Sequence, residues 1–282
     1  MRLRSEGFAN WQVIFAIEQR ISHAAFSRPG GYVVLTLGLI LGSVLLHNRL
    51  RFAQLNAVLT TPEPLLVPLF FTTAFFSIFV GLAVAIEVAR ERASRTLEVL
   101  FYGPVTPIAF LFGHFLSGMR VYLYGMALVL VWANVVTWAV NLAFSSLLLM
   151  MFAASLVSAA ATIAFGMLVG VMGGRTRNAL IVFVGTVLLL VGLQGADVVV
   201  RDIIPPPAGA TSTDPLVTLR TVLSQITYVI GWVSPYAQLQ QLTNNLLDAR
   251  PLQALVHSGV MLVQSIVLFG LSVARLRQVG AR

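Results

Sequence analysis

Six charged residues crowd positions 87 to 98 of an otherwise oily chain: Glu87, Arg90, Glu91, Arg92, Arg95 and Glu98. Apolar runs precede and follow them, and Gly103-Pro104 punctuates the exit. Acids and guanidinium groups at this density, followed by the apolar Leu97, Val99, Leu100 and Phe101, suit recognition more than bond-making chemistry. Charges fix the orientation of a docked partner, and apolar side chains supply its buried anchor. Such a segment cannot stay in hydrocarbon, where each charge costs several kcal/mol. It is expected to be held at a membrane surface, where another protein meets it.

Catalytic arrangements are missing from the rest of the chain. There is no His-Glu-x-x-His zinc motif and no Gly-x-Ser-x-Gly nucleophile elbow. The phosphate-cradling Gly-x-x-x-x-Gly-Lys-Ser/Thr loop is absent too, and all 18 basic residues are arginine. If ATP drives this protein, a separate subunit binds it. With no cysteine, neither a disulfide framework nor a thiolate metal site is available. His47, His114 and His257 stand alone without ligand spacing and read as surface or core residues, and Met150-Met151 reads as filling. No metal or cofactor is expected in this chain. Glu87, near the end of an apolar run, is expected to reach the interface or an ion pair with its neighbours.

One further pattern has physical content. Ser158, Thr162, Gly166 and Gly170 recur at a four-residue step and place small residues on one stripe of a helix. Such stripes let a second backbone approach closely. The partner backbone is either in the same chain or in a second copy.

The elements that position these residues follow from composition. The 282 residues are 58% hydrophobic and 10% charged, with mean hydropathy +0.89. Soluble domains carry roughly 25% charged residues. Several apolar runs approach the roughly 20 residues that cross a bilayer as a helix. They are continuous rather than alternating, so the fold class is an all-α integral membrane protein. Six spans are expected, at about 32–46, 65–89, 119–140, 146–172, 179–196 and 252–274. With the N-terminus inside, 13 arginines fall on the cytoplasmic side and 5 outside, which favours both termini in the cytosol. The net charge of +8 and a pI near 11.0 are thereby explained by topology, and no nucleic-acid partner is expected.

The whole chain, 1–282, thus reads as one transmembrane domain. Residues 1–30 do not form a signal peptide, because Asn10, Glu18, Gln19 and Arg20 interrupt any apolar core. Instead Ile14, Ile17, Ile21, Ala24 and Ala25 recur at helical spacing, with Gln12, Gln19, Ser22 and His23 on another face, as in an interfacial amphipathic helix. Arg20 and Arg28 can meet anionic lipid there. Residues 90–118 form a cytoplasmic segment. Residues 197–250 form a long outer loop, broken at Pro205-Pro206-Pro207. Its amphipathic stretch 216–231 and the polar stretch after Ser234-Pro235 suit a re-entrant or interfacial helical pair, the alternative being a seventh span.

The segment Glu91-Arg-Ala-Ser-Arg-Thr-Leu-Glu-Val-Leu-Phe-Tyr-Gly-Pro-Val-Thr-Pro107 resembles the region after the second span in permeases of type-2 ABC exporters. Thr96-Leu97-Glu98 and Pro104-Val105-Thr106 match the pattern of that family. Arg95 stands where glycine is usual, and Gly113-His114 where Gly-Lys is usual. The likeness extends over the chain: an amphipathic helix, six spans, and a long last outer loop with Ser-Pro-Tyr236 before the final span. Its general form is similar to permeases associated with multicopper-enzyme maturation, although the lack of cysteine gives copper no support.

The resemblance implies an exporter permease in a bacterial or archaeal cytoplasmic membrane, paired with a second permease protomer and with cytosolic ABC ATPase subunits that bind ATP and magnesium. Glu91, Arg92, Arg95, Thr96, Leu97, Glu98, Leu100 and Pro104 would form the ATPase-coupling segment. The competing reading is a passive channel or a non-transport membrane assembly subunit, in which the arginine loops only set topology.

Overall fold

A computed structural model describes residues 11–12, 14–23, 29–56, 64–94, 105–142, 145–203, 215–248 and 250–280. The helices are α1 (14–23), α2 (Pro29–Asn56), α3 (Leu66–Ala93), α4 (Pro107–Ala139), α5 (Ser146–Gly173), α6 (Thr176–Ile203), α7 (Pro215–Val233), α8 (Pro235–Leu247) and α9 (Pro251–Gly280). No strand occurs among the described residues. Helices α2, α3, α4, α5, α6 and α9 are the six long and apolar enough to cross a membrane. The protein is an all-α, multi-pass membrane protein.

Local sequence explains where the helices begin. Proline opens α2, α4, α7, α8 and α9. At a first helical position its missing N–H deprives no carbonyl, and its fixed φ suits the helix. Side-chain caps reinforce three starts. Thr106 accepts from the Ala109 N–H at 3.1 Å, Ser145 from Leu147 at 3.1 Å and Ser234 from Ala237 at 3.4 Å. Helix α5 ends at Gly174, whose φ of +64° is a left-handed conformation that a side chain would strain. Inside the spans, hydroxyls bond back to their own helix, as Thr72 does to the Pro68 carbonyl at 2.9 Å and Ser155 to that of Phe152 at 2.7 Å. No backbone or hydroxyl group at these positions then needs water.

Helices α3 and α5 form the centre. Their apolar windows are 56% and 61% buried, against 22% for α2, 17% for α6 and 11% for α9. The two cross at glycine. A Cβ on Gly166 would collide with the Gly81 carbonyl, and one on Gly170 would lie 2.7 Å from the Ala85 carbonyl. Helix α4 joins through Gly125, which is covered by the ring of Phe76, itself stacked on Tyr122 at 5.8 Å. The peripheral faces of α2, α6 and α9 leave large apolar side chains uncovered, as Leu37, Leu188 and Ile266 show.

Several helices run past the spans expected from hydropathy. Helix α2 runs on from 46 to Asn56, α3 continues to Ala93, α4 begins at Pro107 within the segment 90–118, α6 continues to Ile203 into the loop 197–250, and α9 runs on to Gly280. Hydropathy marks where the apolar run stops, whereas a helix continues until a cap or breaker stops it. The stretch 216–231 lies within α7, which is not among the helices long and apolar enough to span. Helices α7 and α8 form a helical pair. Its tip reaches mid-bundle, where Ser158 donates to the Pro235 carbonyl at 3.4 Å and Tyr236 to Thr162 Oγ1 at 3.2 Å. The far end of α8 returns toward the start of α3, with Leu246 and Phe70 in one cluster.

Candidate functional site

The end of the bundle from which residues 95–104 leave α3 is a polar junction built on four helices. Glu91, in the last turn of α3, has its carboxylate 3.3 Å from the Arg20 guanidinium of α1. Its other oxygen lies 3.7 Å from His114 Nε2 of α4. His114 is buried, and its Nδ1 faces the Phe110 carbonyl at 3.0 Å. A carbonyl only accepts, so Nδ1 carries the proton and donates. Nε2 is left facing Glu91 beyond hydrogen-bond distance, with no hydrogen-bond partner among the described residues. Arg92, the next residue, points the other way. Its guanidinium donates to the Val171 carbonyl in the last turn of α5 and lies 3.7 Å from the position a Cβ on Gly174 would take. A cation at a helix C-terminus meets carbonyls that have no intrahelical donor and the negative end of the helix dipole.

Helix α1 is fastened beside this junction. Ile14, Glu18, Ile21 and Ser22 are its buried side, and Ile17 fills a notch at Gly113 of α4. A Cβ at Gly113 would stand 2.8 Å from the Ile17 methyl. Glu18 is bound by Arg120 of α4 at 2.7 Å, with the carboxylate side chain only 7% exposed. The Arg20–Glu91 pair is weaker, because Arg20 is 71% exposed, and exposed pairs contribute about 0–1 kcal/mol. In the second pair the carboxylate is buried although Arg120 is half-exposed, so losing Arg120 would leave Glu18 uncompensated away from water, a larger loss than at an exposed pair. Glu18–Arg120 and the Gly113 notch therefore hold α1, and Arg20–Glu91 tunes it. Sequence periodicity placed Ser22 on the polar side of this helix; it is buried, because the face against α4 includes the polar pair as well as the isoleucines.

Of the residues singled out from sequence, Glu91 and Arg92 belong to this junction. Arg95, Thr96, Leu97, Glu98, Leu100 and Pro104 lie outside the described residues. Ser158, Thr162, Gly166 and Gly170 sit elsewhere, buried along one side of α5. They meet Gly81, Ala85 and Val88 of α3 and the α8 residues Pro235 and Tyr236. All these neighbours belong to the same chain.

Sequence reasoning missed Glu18, Arg120 and the part played by His114. One signal was available for the first two: Arg120 is the only arginine or acid in the helix 107–139, and Glu18 falls four residues after Ile14 on the apolar stripe. Among the described residues no three His, Cys, Asp or Glu side chains group as a metal site.

The junction holds charges and helix ends rather than a nucleophile with its base, and it can pass displacement from one helix to three others. No curated protein matches the chain. The family model described as ABC-2 family transporter protein matches residues 50–274, a stretch that includes the α3, α4 and α5 sides of the junction, the α3–α5 crossing and the α7–α8 pair, but not α1. The chain belongs to this family and is a permease of the ABC-2 type.

Proposed function

We propose that this protein is the transmembrane subunit of an ATP-binding-cassette exporter that forms the translocation path and couples to a separate cytosolic ATPase. The observation that carries the reading is the braced end of α3. Two neighbouring residues in the last turn of α3, ahead of the segment 95–104, are tied in opposite directions, Glu91 to α1 beside α4 and Arg92 to α5. A partner pushing on that segment would shift α3 together with those helices. Rigid-body rocking of this kind alternates access without chemistry in the permease.

In this reading Arg95, Thr96, Leu97, Glu98, Leu100 and Pro104 form the docking face, and Glu91 and Arg92 brace it. ATP and magnesium bind on the ATPase. Two permease protomers pair in the cytoplasmic membrane of a bacterium or archaeon, surrounded by lipid, with both termini in the cytosol. The arginine distribution supports that orientation.

The test is co-purification with the candidate ATPase from the same genome. A tagged chain lacking residues 95–101 keeps Arg92 and its bond to α5, so it should insert and fold yet recover little ATPase. Full recovery of the ATPase by that deletion would remove the coupling assignment.

A further inference from the structure

Between α1, the first turn of α2 and the middle of α4 lies an open groove of about 770 Å³. Glu18 and His23 line it from α1, Tyr32 from α2, and Arg120, Tyr124 and Leu128 from α4. The three α4 residues follow at four-residue steps and so share one stripe, which passes from cation to aromatic to aliphatic. At 1.5 Å per residue this gradient extends over about 12 Å. Such a surface matches a molecule with a charged head, an amphipathic middle and an apolar tail.

The charge at the polar end is biased. Glu18 is 7% exposed, whereas Arg120 is 46% exposed. One contact to Glu18, at 2.7 Å through a terminal nitrogen, leaves further guanidinium N–H donors. Both members of the pair line the groove, and the cation is the more exposed of the two. His23 is exposed on the same lining and adds a second donor. Tyr32 and Tyr124 are each about half exposed, and such rings favour the level of lipid headgroups. A free inorganic phosphate would occupy a small part of this volume and leave the apolar stripe uncovered, since sites of roughly 300–1,000 Å³ suit ligands of many atoms.

We propose that this groove is a specific phospholipid site. The lipid phosphodiester rests on Arg120 and His23, its glycerol region lies between Tyr32 and Tyr124, and an acyl chain follows Leu128 into the membrane. The lipid fills the gap between the fastened helix α1 and the spans, and differs in this from lipid that merely surrounds the bundle. The inference is independent of ATPase coupling and survives or fails without it.

The experiment uses the full-length chain purified in detergent and then delipidated. Native mass spectrometry follows its titration with dioleoyl phosphatidylglycerol, with dioleoylglycerol (which lacks the phosphate) and with phosphatidylglycerol in the presence of millimolar inorganic phosphate. The expected result is one phosphatidylglycerol per chain, bound at least roughly tenfold more tightly than dioleoylglycerol, a difference of about 1.4 kcal/mol. Inorganic phosphate should not displace it.

Arg120→Gln should lose that preference. Because this change also leaves Glu18 buried without its partner, Ala127→Trp is the second variant. Ala127 is exposed and lines the groove, so an indole there fills the site while sparing the Glu18–Arg120 pair. It should keep the elution profile and melting temperature of the parent and lose the bound lipid. Retention of phosphatidylglycerol by Ala127→Trp at the parent level would overturn the proposal. So would equal binding of dioleoylglycerol, or displacement of the lipid by inorganic phosphate.

Discussion

Arg92 shows how much one side chain can be asked to do in a membrane protein. Its guanidinium donates to the Val171 carbonyl and lies beside Gly174, closing the end of α5 where no further turn exists to supply donors. Arg92→Ala should lower the stability of the purified permease by about 1.5–3 kcal/mol, the range for hydrogen bonds to charged groups. Arg92→Lys should recover only part, because an ammonium lacks the planar fork. Gly174→Ala should cost about 1–2 kcal/mol by a different route, since φ is +64° there. Thermal unfolding in detergent checks all three, and a midpoint for Arg92→Ala equal to the parent's would refute the capping role. The sequence marked Arg92 as a charge in a surface segment, and that much was legible. Its partner was not, because the two residues stand 79 positions apart and a carbonyl acceptor leaves no trace in residue type. The same holds for Glu18 and Arg120, 102 positions apart. Periodicity tells which face of a helix is apolar, and says nothing of which helix covers it.

At the scale of elements, the six spans and their order were readable because hydrocarbon demands about 20 apolar residues per crossing. The ends were less readable. Arg90 and Arg92 end the apolar run near Ala89 but are good helix formers, so α3 continues to Ala93. The small-residue stripe on α5 was legible as a stripe. What it meets depends on the way α3, α5 and α8 assemble, and only the structure brings Gly81 against Gly166 and Tyr236 against Thr162. The consequence is a sharp contrast between two glycines. A side chain at Gly166 would run into the Gly81 backbone, whereas one at Gly185 would meet nothing within 4 Å. Gly166→Leu should therefore force the two central helices apart, at a cost of about 1–3 kcal/mol or more. Gly185→Leu should be tolerated and even gain a little helix propensity. The comparison is the yield of monodisperse protein after detergent extraction. Equal yields would mean that the crossing of α3 and α5 can widen without loss.

For the whole molecule, the fastened junction stands at the end where α3 stops and α4 begins, and the arginine count of 13 against 5 favours that end as cytosolic. Reporter fusions at Arg282 should be active only with reporters that work in the cytosol; activity of an externally folding reporter would reverse the orientation. Given that orientation, Glu98 is the charge whose reversal tests coupling most directly. It follows Thr96-Leu97 in the segment that resembles the family pattern, and Leu97 and Leu100 on either side can supply the apolar anchor. Truncating one member of a buried, hydrogen-bonded charge pair at an interface costs roughly 2–5 kcal/mol, and placing like charges together adds repulsion. Glu98→Arg should therefore weaken ATPase recovery by at least roughly tenfold, which needs only about 1.4 kcal/mol. Insertion and melting temperature should stay at parental values, because the change adds no charge to any of the six spans. The useful control is Glu91→Gln. It removes the weak Arg20 pair inside the junction, so it should leave ATPase recovery nearly intact while lowering substrate-stimulated hydrolysis. Loss of recovery in the first variant and loss of stimulation in the second would separate docking from transmission. Normal recovery and normal hydrolysis with Glu98→Arg would remove Glu98 from the interface and leave the apolar side chains of the segment to account for docking alone.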